Sequence, residues 1–494
     1  MLIRPVKVFF LVMVISLACQ NEQPTQKISD AVEDFSRRTK DKDELDLLVL
    51  LPRGISQDKI ISGKEVELLA PLSDSKRLYR LQGPKELLKD LNIVANAKIS
   101  LNDEIKISPN QRLGFVPSQF VLEDSSALDL LTVRNVVGVD ALVKRFPEAD
   151  GHGVKVAVFD TGIDFGINGL SGTEKGAKLQ GFYDLTNFGE VKLDQVSDTL
   201  AEIPLSFAPG LAPKKIIAKG TLSEAQLAQD YLVPDGVDLN GNGSTTDLYS
   251  FVLGISNDDQ YGIWIDLDGN GVIEDPETEF LKDFNTSSQY INMVDRGEKK
   301  GTHALAVTIH SEEKVQFHRV LHGHGTACAL IIGGDGYGDG SLMGLAPKAS
   351  FLSYTLDVTG QDIYTMDQFI EMFLHAKKQD VDAISISWGF STSDLASARF
   401  LADFLDQEIA SQGILVAIAA GNNGPGVSSG PSDDYIPHHG FGVGAMISQD
   451  QANNVYGWTG ADRNAVVDYS SFGPTRGGRQ IPDLVSPIVS LVRA

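Results

Sequence analysis

Three short segments combine reactive side chains with the small residues that let a backbone turn tightly. Asp160-Thr161-Gly162 places a carboxylate directly after the apolar run Val154 to Phe159. His322-Gly323-His324-Gly325-Thr326 sets an imidazole in a glycine-flanked loop. Ala327, Cys328, Ala329 and Leu330 continue it as a helix that Gly333-Gly334 can end. Ala419-Ala420-Gly421-Asn422-Asn423-Gly424 follows a second apolar run. A carboxylate after a strand is a turn or cap, or it does acid, base or orienting work. Asp-Thr-Gly also occurs in proteases where two aspartates share a proton, but this sequence has no second Asp-Thr-Gly or Asp-Ser-Gly. An imidazole is the side chain that moves protons near pH 7.

The elements that must hold these residues follow from periodicity. Val154 to Phe159, Ala383 to Ser387 and Ile414 to Ala419 are apolar runs of the kind buried on both faces of a sheet. Between the last two, Leu395 to Ile409 places Leu395, Phe400, Leu401, Phe404, Leu405 and Ile409 on one helical stripe. Tyr364 to Lys378 does the same with Met366, Phe369, Ile370, Phe373 and Leu374. Alternating strand and helix predicts an α/β fold with a parallel sheet and right-handed crossovers. Functional residues of such sheets gather at the carboxyl ends of strands, where Asp160, Ser387 and Asn422 all fall.

Taken together and in this order, from about Val136 to Pro487, these motifs resemble the subtilisin-like serine peptidases, or subtilases. The resemblance implies a subtilisin-like parallel sheet flanked by helices, with polypeptide substrates. It implies that Asp160 orients the imidazole, His324 is the general base and Asn422 donates to the oxyanion. Ser387-Trp388-Gly389 would pair as a strand edge with an extended substrate. The chemistry suits these types: a hydroxyl needs a base near neutrality, and that base needs a buried carboxylate to hold its tautomer.

The pattern departs from compact subtilisins in two places. Asp160 and His324 stand 164 positions apart, against about 32 in subtilisin, so an insertion of about 170–315 is expected, similar to that of tripeptidyl-peptidase II and its relatives. Within it, Asp266-Leu267-Asp268-Gly269-Asn270-Gly271-Val272-Ile273-Glu274-Asp275-Pro276-Glu277 matches an EF-hand loop. Asp266, Asp268, Asn270, the Val272 carbonyl and Glu277 would supply oxygens to a structural Ca²⁺, the plain alternative being a solvated acidic turn. Tyr261 to Ile265 before it predicts a strand, so the frame is not an EF-hand. Asp238, Asn240, Asn242 and Asp247 make a poorer copy. The second departure is the nucleophile. Subtilases carry it in Gly-Thr-Ser, after landmarks like Ser470-Ser471-Phe472-Gly473-Pro474 and Pro482-Asp483-Leu484-Val485-Ser486-Pro487. The landmarks occur; no Gly-Thr-Ser does. Neither Ser486 nor Ser490 is assigned the role. The expectation is a serine endopeptidase read as a chain ending before its nucleophile, with the C-terminal part of the catalytic domain missing. The alternative is a catalytically inactive, peptide-binding lipoprotein or a pseudogene product.

The ends complete the organisation. Residues 1–19 run from Arg4 and Lys7 through an apolar stretch to Ala18-Cys19, which reads as an export signal and resembles those of bacterial lipoproteins, with Cys19 acylated as a membrane anchor. Ser16 stands where such signals carry Leu. Residues 20–43 are a polar tether. Residues 44–130 read as a small α+β domain, with strands at Leu45–Leu51, Glu65–Ala70, Arg77–Leu81 and near Ala97–Leu101 and a helix around Pro84–Leu91, matching the prodomain of the family by element order. Residues 131–494 are the catalytic domain. With 42 Lys+Arg against 66 Asp+Glu, a net charge of −24 excludes nucleic-acid binding by bulk positive charge. Two cysteines, Cys19 and Cys328, exclude a disulfide framework, and a lipidated Cys19 would leave Cys328 a free thiol.

Overall fold

The computed structural model describes five strands between Glu44 and Val116 and, short internal stretches apart, residues 126–489. Residues 1–43, with Cys19 and the expected signal and tether, lie outside the described residues, as do Trp388, Asn240, Glu277 and Ser490. The chain divides into two compact units, one of residues 1–113, 364–375 and 392–412, the other of residues 114–363, 376–391 and 413–494.

The first unit contains an antiparallel sheet in the order Val66–Pro71, Lys76–Pro84, Glu44–Pro52, Lys106–Pro109. Three of these strands match the sequence reading within a few residues. Most of the expected helix around Pro84–Leu91 and the strand near Ala97–Leu101 lie outside the described residues. Arg80 on this sheet forms an ion pair of 2.9 Å with Asp367, at the start of the helix Met366–Lys378. That helix buries Met366, Phe369, Ile370 and Phe373, the stripe read from its periodicity. The predicted Leu395–Ile409 helix is regular over Leu395–Phe404 and then widens into a π-turn at Leu405–Ile409.

The second unit is built on a sheet ordered Ala465–Val466, Phe441–Ile447, Leu415–Ala419, Ala383–Ile386, Lys155–Asp160, Ser350–Thr355, Leu179–Asp184, with Leu484–Pro487 also paired to Phe441–Ile447. Every pairing is parallel except that of Ala465–Val466. Alternating strand and helix requires this, because a crossover returns each strand in the same direction. Register partners Phe159, Tyr354 and Tyr183 stack across three strands with ring centroids 4.5 and 5.0 Å apart. Leu179–Asp184 falls inside the expected insertion yet is an edge strand of this sheet, so the added module starts after Asp184.

The two faces of the sheet are covered unequally. On one face Val416 and Ile418 are fully buried. On the other face, Val156 and Val158 pack against Ala327 and Leu330 of the helix His324–Gly333. Farther along that face Leu415, Phe441 and Leu484 are 49, 40 and 43% exposed, and their registers put them on one face of three neighbouring strands, each two residues out of step with the next. Three strands span about 10 Å, the diameter of one helix with its side chains.

The inserted module has a hydrophobic core of its own. It packs Phe251, Phe317, Tyr249, Leu253, Ile263 and Ile265 from two antiparallel sheets. The longer strands are Lys215–Ser223, Leu248–Ile255, Tyr261–Ile265 and His303–Ser311. The predicted Tyr261–Ile265 strand is therefore present, and it delivers the acidic loop at its end.

Candidate active site

Register alone gathers the sequence-predicted residues. Asp160 ends its strand beside Thr355. Phe159 pairs with Ile386, and Ile386 pairs with Ile418. Asp160, Ser387 and Ala419 therefore stand level at the carboxyl ends of adjacent strands, and Asn422 follows three residues later in an exposed turn. That turn is tied to the Ser470-Ser471 landmark. Ser471 Oγ accepts the Asn423 N–H at 2.9 Å, and the Ser471 N–H donates to the Gly421 carbonyl at 2.9 Å.

His324 opens its helix against Asp160. Its Nδ1 lies 2.7 Å from Asp160 Oδ1, with Asp160 fully buried and His324 9% exposed. The same carboxylate oxygen accepts the Thr161 N–H at 2.7 Å. Thr161 Oγ1 donates to the His322 carbonyl at 2.9 Å and accepts the Gly325 N–H at 3.0 Å, which satisfies one of the open donors of the helix N-terminus. The glycines have steric reasons. Gly162 sits at φ +99°, and a Cβ there would meet Thr355 and Val320. A Cβ at Gly325 would lie 2.5 Å from the Gly162 carbonyl, so the helix could not approach the Asp160 loop this closely.

Burial pulls the His324 imidazolium down, but the Asp160 carboxylate and then Cys328 more than reverse this and hold it well above its ordinary value. His322 goes the other way. Burial and the neighbouring His324 push it below its ordinary value against the pull of Asp160, consistent with its Nδ1 accepting the His324 N–H at 3.3 Å. A buried carboxylate holding an imidazole by Nδ1 leaves Nε2 as the proton acceptor, the arrangement needed to activate a hydroxyl.

The sequence marks Cys328 only as a free thiol. It is partly exposed, with Sγ 3.9 Å from His324 Nδ1 and 3.5 Å from Ser387 Oγ. The i, i+4 spacing of His324 and Cys328 was the signal, since residues one helical turn apart share a face.

Gly389 begins a short strand, Gly389–Ser391, whose partner belongs to the same chain. Val116, Phe115 and Gly114 pair antiparallel with Gly389, Phe390 and Ser391. Of the three residues read as a substrate-binding edge, Gly389 lies in this pairing, Ser387 precedes the strand and Trp388 lies outside the described residues.

In the inserted module, Asp266, Asp268 and Glu279 bring carboxylate oxygens within 4.8 Å of one another. Asp266 accepts the N–H groups of Gly269 and Gly271, both at 2.9 Å, and Glu279 Oε2 those of Glu274 and Asp275 at 2.8 and 2.7 Å. Burial, with neighbouring acids adding to it, raises both carboxyls above the usual range despite these hydrogen bonds. Asn270 is tied to Asp268 and Glu274. Glu279, two residues beyond Glu277, was not anticipated, because the motif counts residues along the loop. In the poorer copy, Asp238 accepts the Gly243 N–H at 2.8 Å and Asn242 donates to Asp247 at 2.6 Å.

Comparison with known proteins follows this geometry. The profile described as "Subtilase family" matches residues 151–489. Pyrolysin of Pyrococcus furiosus is 24% identical over 501 residues, covering 86% of this chain and 35% of pyrolysin. Subtilisin-like protease SBT3 of Solanum lycopersicum is 36% identical over 125 residues, covering 22% of this chain and 15% of that protein. The crystal structure of tripeptidyl peptidase 2 superposes with a TM-score of 0.52 at 18% identity, over 71% of this chain and 32% of that one. At that identity the likeness speaks for the fold. The chain spans 35% or less of the length of each of these relatives.

Proposed function

The chain belongs to the subtilase family, and from that premise we propose that it is a serine-type endopeptidase acting on extended polypeptides. The observation that carries the reading is the 2.7 Å contact between His324 Nδ1 and a fully buried Asp160 at the carboxyl end of a parallel sheet. His324 Nε2 takes the proton of the attacking hydroxyl and returns it to the leaving amine. Asp160 holds the tautomer and stabilises the imidazolium. Asn422 donates to the oxyanion, and the Ser387–Gly389 edge aligns the substrate backbone as an added strand.

The hydroxyl is proposed to lie in a Gly-Thr-Ser segment that these 494 residues do not contain. The exposed stripe of Leu415, Phe441 and Leu484 supports this, since one further helix would cover it beside the His324 helix. Sequencing the gene across the codon for Ala494, followed by labelling of the native product with a serine-reactive phosphonate, tests the reading. A stop codon there and an unlabelled, folded product would overturn it.

A second reading has its own support: Gly114–Val116 occupies the Gly389 edge without any hydroxyl. It takes the protein as a peptide-binding module that kept the cleft, and an unlabelled product that still binds extended peptides would favour it. Under the enzyme reading residues 44–130 would be a prodomain, and the pairing of Gly114–Val116 with Gly389–Ser391 supports this. N-terminal sequencing of mature protein should then find a start between Ser108 and Val136.

Two accessory features belong to this proposal. Asp266, Asp268 and Glu279, with the Asn270 amide and the Val272 carbonyl, would hold a Ca²⁺ that stiffens the inserted module. An all-oxygen, carboxylate-rich donor set with raised affinity for protons suits a hard divalent cation. Residues 1–19 would export the chain and anchor it by acylated Cys19. Labelled palmitate that enters the wild type but not Cys19→Ser would support the anchor, and equal labelling would remove it. Among the described residues no helix is long and apolar enough to cross a membrane.

A further inference from the structure

We propose that Asp160, His324 and Cys328 form a site for a thiophilic divalent cation such as Zn²⁺, whose occupation turns the general base off. One ligand atom from each residue lies within 4.8 Å of the other two. Sγ of Cys328 stands 3.9 Å from His324 Nδ1, which is itself 2.7 Å from Asp160 Oδ1. Ser387 Oγ, 3.5 Å from Sγ, is within reach as a fourth donor.

A second, independent observation points to a cation. Asp160 is fully buried, and its Oδ2 has no hydrogen-bond partner among the described residues. A buried carboxylate oxygen with no donor is costly unless positive charge is supplied to it. The donor set selects the kind of ion. Thiolate, imidazole and carboxylate together suit Zn²⁺, whereas Ca²⁺ and Mg²⁺ take oxygen. Zinc bonds of about 2.3 Å to sulfur and about 2.0 Å to nitrogen and oxygen require donor separations of roughly 3.3 to 3.6 Å. The Sγ and Nδ1 atoms need close by only a few tenths of an ångström, while Nδ1 and Oδ1 must part by about half an ångström. Two negative ligands balance the ion's charge.

The consequence follows from proton counting. Binding releases the thiol proton to solvent. The neutral imidazole keeps one ring proton, and a metal on Nδ1 forces that proton onto Nε2. An Nε2 that already carries a proton cannot accept one from a hydroxyl, so a ligated His324 is no base. This last step rests on the peptidase reading, but the binding does not.

Cobalt is the probe, because it occupies zinc sites and reports sulfur ligation by a thiolate-to-metal charge-transfer band. Titrating Co²⁺ into the 494-residue chain should give that band at one equivalent, and Zn²⁺ should abolish it. Cys328→Ser should lose the band and weaken Zn²⁺ binding at least tenfold. Cys19→Ser removes the only other cysteine, and Asp266→Asn alters the separate acidic cluster; both should keep the band. Retention in Cys19→Ser assigns the sulfur even where Cys328→Ser fails to fold. No band with excess Co²⁺, or a band that disappears in Cys19→Ser or Asp266→Asn, would overturn the site. None of these readouts needs turnover, so a negative result here leaves the peptidase reading to the phosphonate experiment.

Discussion

The molecule carries two sites with buried acid that were assembled in opposite ways. Asp266, Asp268 and Glu279 lie within fourteen consecutive residues, and backbone N–H groups of the same loop bind their oxygens. Asp160 meets His324 across 164 positions, and only the folded sheet brings them together. The local cluster surrounds its charge with donors. At the distant pair one carboxylate oxygen has no hydrogen-bond donor among the described residues, and the other is met by the His324 imidazole together with the Thr161 N–H. A loop can satisfy an anion by turning around it; a pair distant in sequence depends on the folded sheet to supply the partner.

Four outcomes would break or sharpen that contrast. The largest belongs to the distant pair. In a form of the product that carries the nucleophile, Asp160→Asn should lower kcat by about 10⁴-fold while leaving the fold intact, because the amide selects the wrong imidazole tautomer. A loss below tenfold would remove Asp160 from the orienting role. Next is the module's core. Phe251 is fully buried in it, and Phe251→Ala should cost about 3 to 5 kcal/mol of that module's stability by urea unfolding. If the central sheet unfolds at the same midpoint shift, the module is not an independent unit.

For the local cluster, chelation after saturation with Ca²⁺ at 100 times Kd should remove about 2.7 kcal/mol of stability, read as a lower Tm. An unchanged Tm would return the loop to a solvated acidic turn. The smallest effect concerns Glu224, which is fully buried and accepts the Leu239 and Asp247 N–H groups at 2.7 and 2.9 Å and the Tyr249 hydroxyl at 2.8 Å. Glu224→Gln puts an NH₂ against one of those donors and should cost about 1 to 3 kcal/mol. A neutral result would mean that the 238–247 loop repacks freely.

Much of the fold could be read from periodicity. The apolar runs ending at Asp160, Ile386 and Ala419 became adjacent parallel strands because runs buried on both faces have few other places to go. The stripe of Met366, Phe369, Ile370 and Phe373 became a buried helix face for the same reason. The motif reading picked out Asp160 and His324, which the fold brings within 2.7 Å beside Gly162 and Gly325, where a Cβ would meet its neighbours. It missed Glu279, which a residue count along the loop passes over. It also missed the place of Leu179–Asp184 in the central sheet, because an edge strand inside an insertion has no local mark of which sheet it will join.

The sequence by itself determined the family, the order of the motifs and which residue types were available for chemistry, since these depend on local pattern. Tertiary structure decided that Asp160 and His324 meet at 2.7 Å, that Cys328 and Ser387 stand beside them, and that Gly114–Val116 pairs with the Gly389 edge. The physical reason is that hydrogen bonds and metal ligation are set by distances of a few ångströms. Between residues far apart in the chain, only strand register and helix packing fix such distances.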